Sequence, residues 1–86
     1  MISIELFGVP RLRAGTGLVR LEAVDLGSAL EGLALACPGL DGSVVLGGRA
    51  HPAYKLSLNG DRFVTEPETT LNDGDVLLLL AADVGG

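Results

Sequence analysis

The chain ends Ala81-Ala82-Asp83-Val84-Gly85-Gly86, and the α-carboxyl group of Gly86 is the group whose setting most directly suggests chemistry. A Gly pair has no Cβ, so such an end can pass through a narrow channel and adopt backbone angles closed to other residues. Six extended residues reach on the order of 20 Å, enough to bring Gly86, preceded by Gly85 and Val84, into another protein's active site. At an ordinary pKa of about 3.3–3.7 the carboxyl is an anion near neutral pH and a poor electrophile, so it needs activation from outside. With 13 Gly among 86 residues, the ending also has a plain compositional reading.

Other reactive side chains are sparse. Cys37 is the single cysteine, so it has no partner for an internal disulfide, and its apolar setting favours a small core residue over a reactive thiol. One Cys and one His make no recognisable zinc-ligand set, and no metal site is expected. His51 has no Ser, Cys or metal partner at a telling spacing and reads as a solvent-facing or locally bonded side chain. Gly47-Gly48-Arg49 superficially suggests a phosphate cradle, but no strand-to-helix transition follows it, which favours a surface loop. Asp73, Asp75 and Asp83 read first as solvated charges and second as contacts to a partner's cations.

Composition bounds what remains. Eighty-six residues make one domain, too small for a deep catalytic cleft of its own, so a partner is expected to supply the chemistry. A hydrophobic fraction of 48% with only 3% aromatics predicts a folded core of Leu, Val, Ile and Ala. The net charge of −5 disfavours nucleic acid and anionic lipid as partners and fits a basic protein. No stretch has the length of a spanning helix and the start lacks a basic secretory signal, so a cytoplasmic protein with no membrane partner is expected.

The elements that would hold the tail follow from periodicity. Residues 2–7 alternate, with Ile2, Ile4 and Leu6 on one face and Ser3, Glu5 and Phe7 on the other, predicting a strand with one buried face. Residues 8–17, with three Gly and a Pro, read as a long hairpin loop carrying Arg11 and Arg13, and residues 18–23 read as the antiparallel return. The apolar period then becomes 3.6, with Leu26, Ala29, Leu30, Leu33, Ala34 and Cys37 on one stripe of a helix. Ser28 and Glu31 match a capping box, and Pro38-Gly39 ends the helix. Gly32 costs about 1 kcal/mol relative to Ala unless another element lies close. Residues 38–53 give no firm assignment.

Residues 54–58 alternate again, Asn59-Gly60 suits a tight hairpin, and residues 61–64 return. Pro67 suits a sheet edge. Leu71-Asn72-Asp73-Gly74-Asp75 is a turn, and Val76-Leu77-Leu78-Leu79-Leu80 reads as a central strand buried on both faces. The domain is expected to span 1–80 and the tail 81–86.

This order of elements resembles the β-grasp fold of ubiquitin-like proteins, and more narrowly the MoaD/ThiS-type sulfur carriers, nearest to the small subunit of molybdopterin synthase. Leu6-Phe7 with Arg11 and Gly15, Leu58-Asn59-Gly60, Leu71-Asn72-Asp73-Gly74-Asp75-Val76 and Gly85-Gly86 carry the likeness. The family often has prolines just before its tail, where this chain has Ala81-Ala82-Asp83-Val84.

The resemblance implies an α+β fold, a mixed sheet packed on one main helix with a flexible Gly-Gly tail. It implies that Gly86 is adenylated by ATP and Mg2+ on a MoeB/ThiF-type activating enzyme and converted to a thiocarboxylate by a sulfur donor protein. The chain would then bind no cofactor itself and would be no enzyme alone, serving a MoaE-type large subunit. Phe7 and Arg11 are candidate docking residues. Carriers for thiamine or cysteine synthesis, a ubiquitin-like protein modifier and a noncovalent β-grasp module remain alternatives.

Overall fold

The computed structural model describes residues 1–82. Strand β1 (Ile2–Leu6) leads into helix α1 (Gly8–Ala14) and strand β2 (Leu18–Leu21). The main helix α2 (Leu26–Ala36) ends in a 3-10 turn (Pro38–Leu40). A small hairpin, β3 (Val45–Leu46) and β4 (Arg49–Ala50), precedes β5 (Tyr54–Leu58), β6 (Arg62–Val64) and β7 (Val76–Ala81). The main sheet runs β2-β1-β7-β5-β6, with β1 and β7 parallel and the other pairs antiparallel. It is the mixed sheet on one main helix that the resemblance implied.

The alternation in β1 sends Ile2, Ile4 and Leu6 under α2, where they are buried with Leu56, Leu58, Leu77 and Leu79. From the helix, Leu26, Ala29, Leu30 and Leu33 fill the same core and Cys37 closes it. Gly32 faces Leu21, but a Cβ there would make only ordinary contact, 3.4 Å from Leu21 Cδ2, so no close approach demands glycine and the packed stripe of the helix bears its cost. Among the described residues no helix is long and apolar enough to cross a membrane.

Four readings need correction. Residues 8–14 form a helix within the expected loop. Pro10 sits in its first turn, where a missing N–H is harmless, Arg11 and Arg13 lie in its last turn, and Gly15 caps it at φ 76°. The capping box of α2 lies three residues earlier than Ser28/Glu31. Asp25 Oδ1 accepts from Ser28 N–H at 2.8 Å, and Ser28 Oγ accepts from Asp25 N–H at 3.3 Å.

Strand β7 is central but not buried on both faces. Leu77 and Leu79 are buried, whereas Val76, Leu78 and Leu80 are half-buried, because among the described residues no helix lies over the far side of the sheet. It also runs one residue past Leu80, and Ala82 N–H donates to the Ala53 carbonyl at 2.8 Å. Residues 38–53, left open by the sequence, hold the 3-10 turn and the β3–β4 hairpin, with Gly47-Gly48 as its turn.

The Asn-Gly and Asp-Gly-Asp turns are parts of one lock. Asn59 takes the left-handed conformation at φ 57°, followed by Gly60 at 67°. Asn59 Oδ1 accepts from Val76 N–H at 2.8 Å, and its Nδ2 donates to Asp75 Oδ1 at 3.0 Å. Asp75 Oδ2 in turn accepts from Asn72 N–H at 2.8 Å. The hairpin β5–β6 and the entry to β7 are thereby tied through one side chain.

Asn59→Gly keeps the backbone freedom and loses these bonds, so it should cost about 1 kcal/mol. Asn59→Ala adds about 1–2 kcal/mol of left-handed strain. Paired urea unfolding curves check the order, and equal stability of the two variants would show that the strain is absent.

Candidate functional site

The sheet face away from α2 is the open face of the molecule. Strand register puts Leu18 and Arg20 of β2, Ser3 and Glu5 of β1, Leu78 and Leu80 of β7, Lys55 and Ser57 of β5 and Phe63 of β6 on that side. Phe7 follows β1 at 43% exposure, and its N–H donates to the Leu79 carbonyl at 3.1 Å. Phe7, Gly8, Leu78, Leu80 and Ala81 line an apolar concavity of about 350 Å³. Phe63, 61% exposed, lies farther across the face with Lys55 Nζ 4.5 Å above its ring.

The end of β7 therefore forms part of this concavity, and the chain leaves the described structure directly beside it. Four residues follow Ala82 in the sequence. The expected reactive and tail residues Gly86, Gly85 and Val84, with Asp83, lie outside the described residues.

Arg11 does not line this concavity. It lies on α1 with its guanidinium over Gly17, where a Cβ would stand 3.2 Å from Arg11 Nε. That contact belongs to a second depression, bordered also by Gly8, Leu12, Gly15 and Thr16. Phe7 and Arg11 thus occupy separate depressions that meet at Gly8. The residues that the sequence did not single out are Leu78 and Leu80, which accompany Phe7 on this face. Their signal was the continuous hydrophobicity of β7, read there as burial on both sides.

The remaining chemical groups are occupied structurally. Cys37 is buried, and that burial pushes its thiol pKa up, away from reactivity. His51 Nδ1 accepts from Ala53 N–H at 3.0 Å, the local bond foreseen for it. The first N–H groups of α2 are met by the carbonyls of Thr69 and Pro67, both at 2.9 Å, which leaves them unavailable to an anion.

Asp73 pairs with the Met1 ammonium. Asp75 is held below its ordinary pKa first by the Asn72 N–H and then by Asn59. A lowered folded pKa means that Asp75 stabilises the fold above the ordinary Asp range, near pH 3.9. That contribution disappears as pH falls through the lowered value. The melting-temperature gap between the native chain and Asp75→Asn should therefore be widest near neutral pH and narrow as pH falls below the ordinary Asp range. A gap independent of pH would show that the ionised form carries no advantage.

No family model matches the sequence, and no curated protein sequence does. Solved structures do. SAMP1 of Haloferax volcanii is 26% identical, with 99% of this chain and 98% of that chain covered at a TM-score of 0.82. The BexX/CysO complex of Amycolatopsis orientalis contains a chain 20% identical, fully covered both ways, at 0.81. A complex of subunits 1 and 2 of the molybdopterin-converting factor from Helicobacter pylori contains one 25% identical, with 99% and 97% covered, at 0.65. The chain has the ubiquitin-like β-grasp fold that such carrier and modifier proteins share.

Proposed function

We propose that this chain is a sulfur carrier whose Gly86 carboxylate is converted to a thiocarboxylate on a partner enzyme. The observation that carries the reading is the placement of the chain's exit. Strand β7 sits at the centre of the sheet, its last residues line the apolar concavity with Phe7, and the Gly85-Gly86 end follows within four residues. A protein seated on the open face would receive that end beside its own surface.

In the proposed reaction a Gly86 carboxylate oxygen attacks the α-phosphorus of ATP and pyrophosphate leaves. The acyl carbon, unhindered by any side chain, is then attacked by a sulfur nucleophile, and AMP leaves with the bonding pair. Mg2+ belongs to the activating partner, where it neutralises phosphate charge. This chain contributes no acid or base. It contributes docking, which makes the reaction effectively intramolecular.

For the acceptor we propose the large subunit of a two-component molybdopterin synthase, with the sulfur delivered to a cyclic pterin phosphate. The likeness to subunit 1 in the Helicobacter pylori complex and the matching Leu58-Asn59-Gly60 and Asp73-Gly74-Asp75 turns support this acceptor. The second reading is a protein modifier whose Gly86 forms an amide with lysines of other proteins. The likeness to a small archaeal modifier protein favours it.

Intact mass decides between them. After incubation with an adenylating enzyme of the same source, ATP, Mg2+ and a sulfur donor, exchange of one oxygen for sulfur is the expected result. Lysine-linked conjugates without that exchange would favour the modifier, and neither product would overturn both. In the same assay Phe7→Ser should weaken binding to the activating enzyme about tenfold while leaving the melting temperature nearly unchanged. Unchanged affinity in a titration would remove Phe7 from the interface.

A further inference from the structure

Among the described strand residues of the open face the acidic one is Glu5, and its position is unusual for a surface charge. Register places it directly between Leu18 on β2 and Leu78 on β7, with Phe7 two residues farther along the chain, just past the end of β1. Glu5 is half-buried, and among the described residues it joins no ion pair. Among the described residues the cations of this face make no salt bridge to it. Arg20 lies on the edge strand, diagonal to Glu5, and Lys55 lies over Phe63 two strands away.

A partner covering the apolar residues around Glu5 must also cover Glu5. If it laid only apolar atoms there, the carboxylate would lose its water with nothing in exchange, at a cost that opposes docking. A cation placed against it would convert that loss into a charge-assisted contact. We infer, on the carrier reading above, that the protein docking on this face presents an arginine or lysine to Glu5 at the centre of an otherwise apolar contact. The guanidinium suits the site better, because it is weakly hydrated and meets a carboxylate with two parallel N–H groups.

Arg20 and Lys55 remain at the rim, where hydration and salt screening leave them a smaller share. The chain's net charge of −5 draws such a partner in from a distance, but only Glu5 fixes where its cation must sit.

The test is a titration of the same-source adenylating enzyme, with ATP and Mg2+, against the native chain, Glu5→Gln and Glu5→Arg. Melting curves would show that each variant folds. Glu5→Gln should bind about tenfold or more weakly and lose part of the salt dependence, and Glu5→Arg should show no binding at concentrations that saturate the native chain. The sign of the Glu5→Gln effect is decisive. Equal or tighter binding would mean that removing the carboxylate relieved an uncompensated charge, and the inference would be overturned.

The carrier reading is scored separately by mass. A native chain that acquires sulfur yet shows no binding through this face overturns the inference alone. A native chain that neither acquires sulfur nor binds overturns the carrier reading and this inference with it.

Discussion

Leu79→Ala should lower the unfolding free energy by about 2–5 kcal/mol, whereas Leu78→Ala, one residue away, should cost about 1 kcal/mol or less. Leu79 is fully buried at the centre of the core, hydrogen-bonded between β1 and β5, and truncation leaves a void that rigid neighbours cannot fill. Leu78 points to the open face and is already half in water. For a domain of this size each kcal/mol is worth about 4–8 °C in melting temperature, so the two variants separate by several degrees at least. The ordering should reverse in binding. Leu78→Ala should weaken affinity for the activating enzyme, while Leu79→Ala, measured below its melting point, should leave it close to native. Comparable stability losses for both would mean that the far face of β7 is covered.

Deleting Gly86 should abolish the acquisition of sulfur altogether while leaving the melting temperature unchanged. The new chain end would be the carboxylate of Gly85, one residue, or about 3.3–3.6 Å, short of the reacting position. A shift of even about 1 Å from productive geometry can cost on the order of 100-fold in rate. Intact mass and calorimetry on the same preparation read both halves. Sulfur acquired at Gly85 at the native rate would show that the activating site tolerates a shorter tail, and would remove the special role assigned to Gly86.

Much of the scaffold was legible because its signals are local. Ile2, Ile4 and Leu6 alternate, the helical stripe from Leu26 to Cys37 is uninterrupted, and Asn59-Gly60 has few conformations open to it other than a tight hairpin. Helix α1 escaped because Gly8, Pro10 and Gly15 were weighed as breakers by type. By position they are helix boundaries, Pro10 within the first turn and Gly15 at the left-handed cap. The cap of α2 was displaced for a related reason. Asp25 and Ser28 satisfy each other's N–H groups as well as Ser28 and Glu31 would, and spacing alone does not choose between them.

The proposed site divides the same way. Gly85-Gly86 and Phe7 could be picked out by residue type. Glu5 could not, because its significance lies in Leu18 and Leu78, which come beside it only when strands far apart in sequence pair. The apolar character of Leu78 and Leu80 was visible in the sequence, but that no layer of the described residues covers them is a property of the whole fold.

The parallel pairing of β1 with β7 has a mechanical consequence. The chain enters the sheet at Ile2 and leaves it at Ala81, on adjacent strands running in the same direction at the middle of the sheet. Tension applied between those two points loads the Ser3–Val76 to Leu6–Leu79 ladder along its length, so its hydrogen bonds share the force and must fail together. A hairpin edge such as β5–β6, pulled at its open end, would unzip one bond at a time. A motor that seized the tail and pulled against the far end of the domain would meet this ladder first, and could extract the chain only by shearing it as a unit.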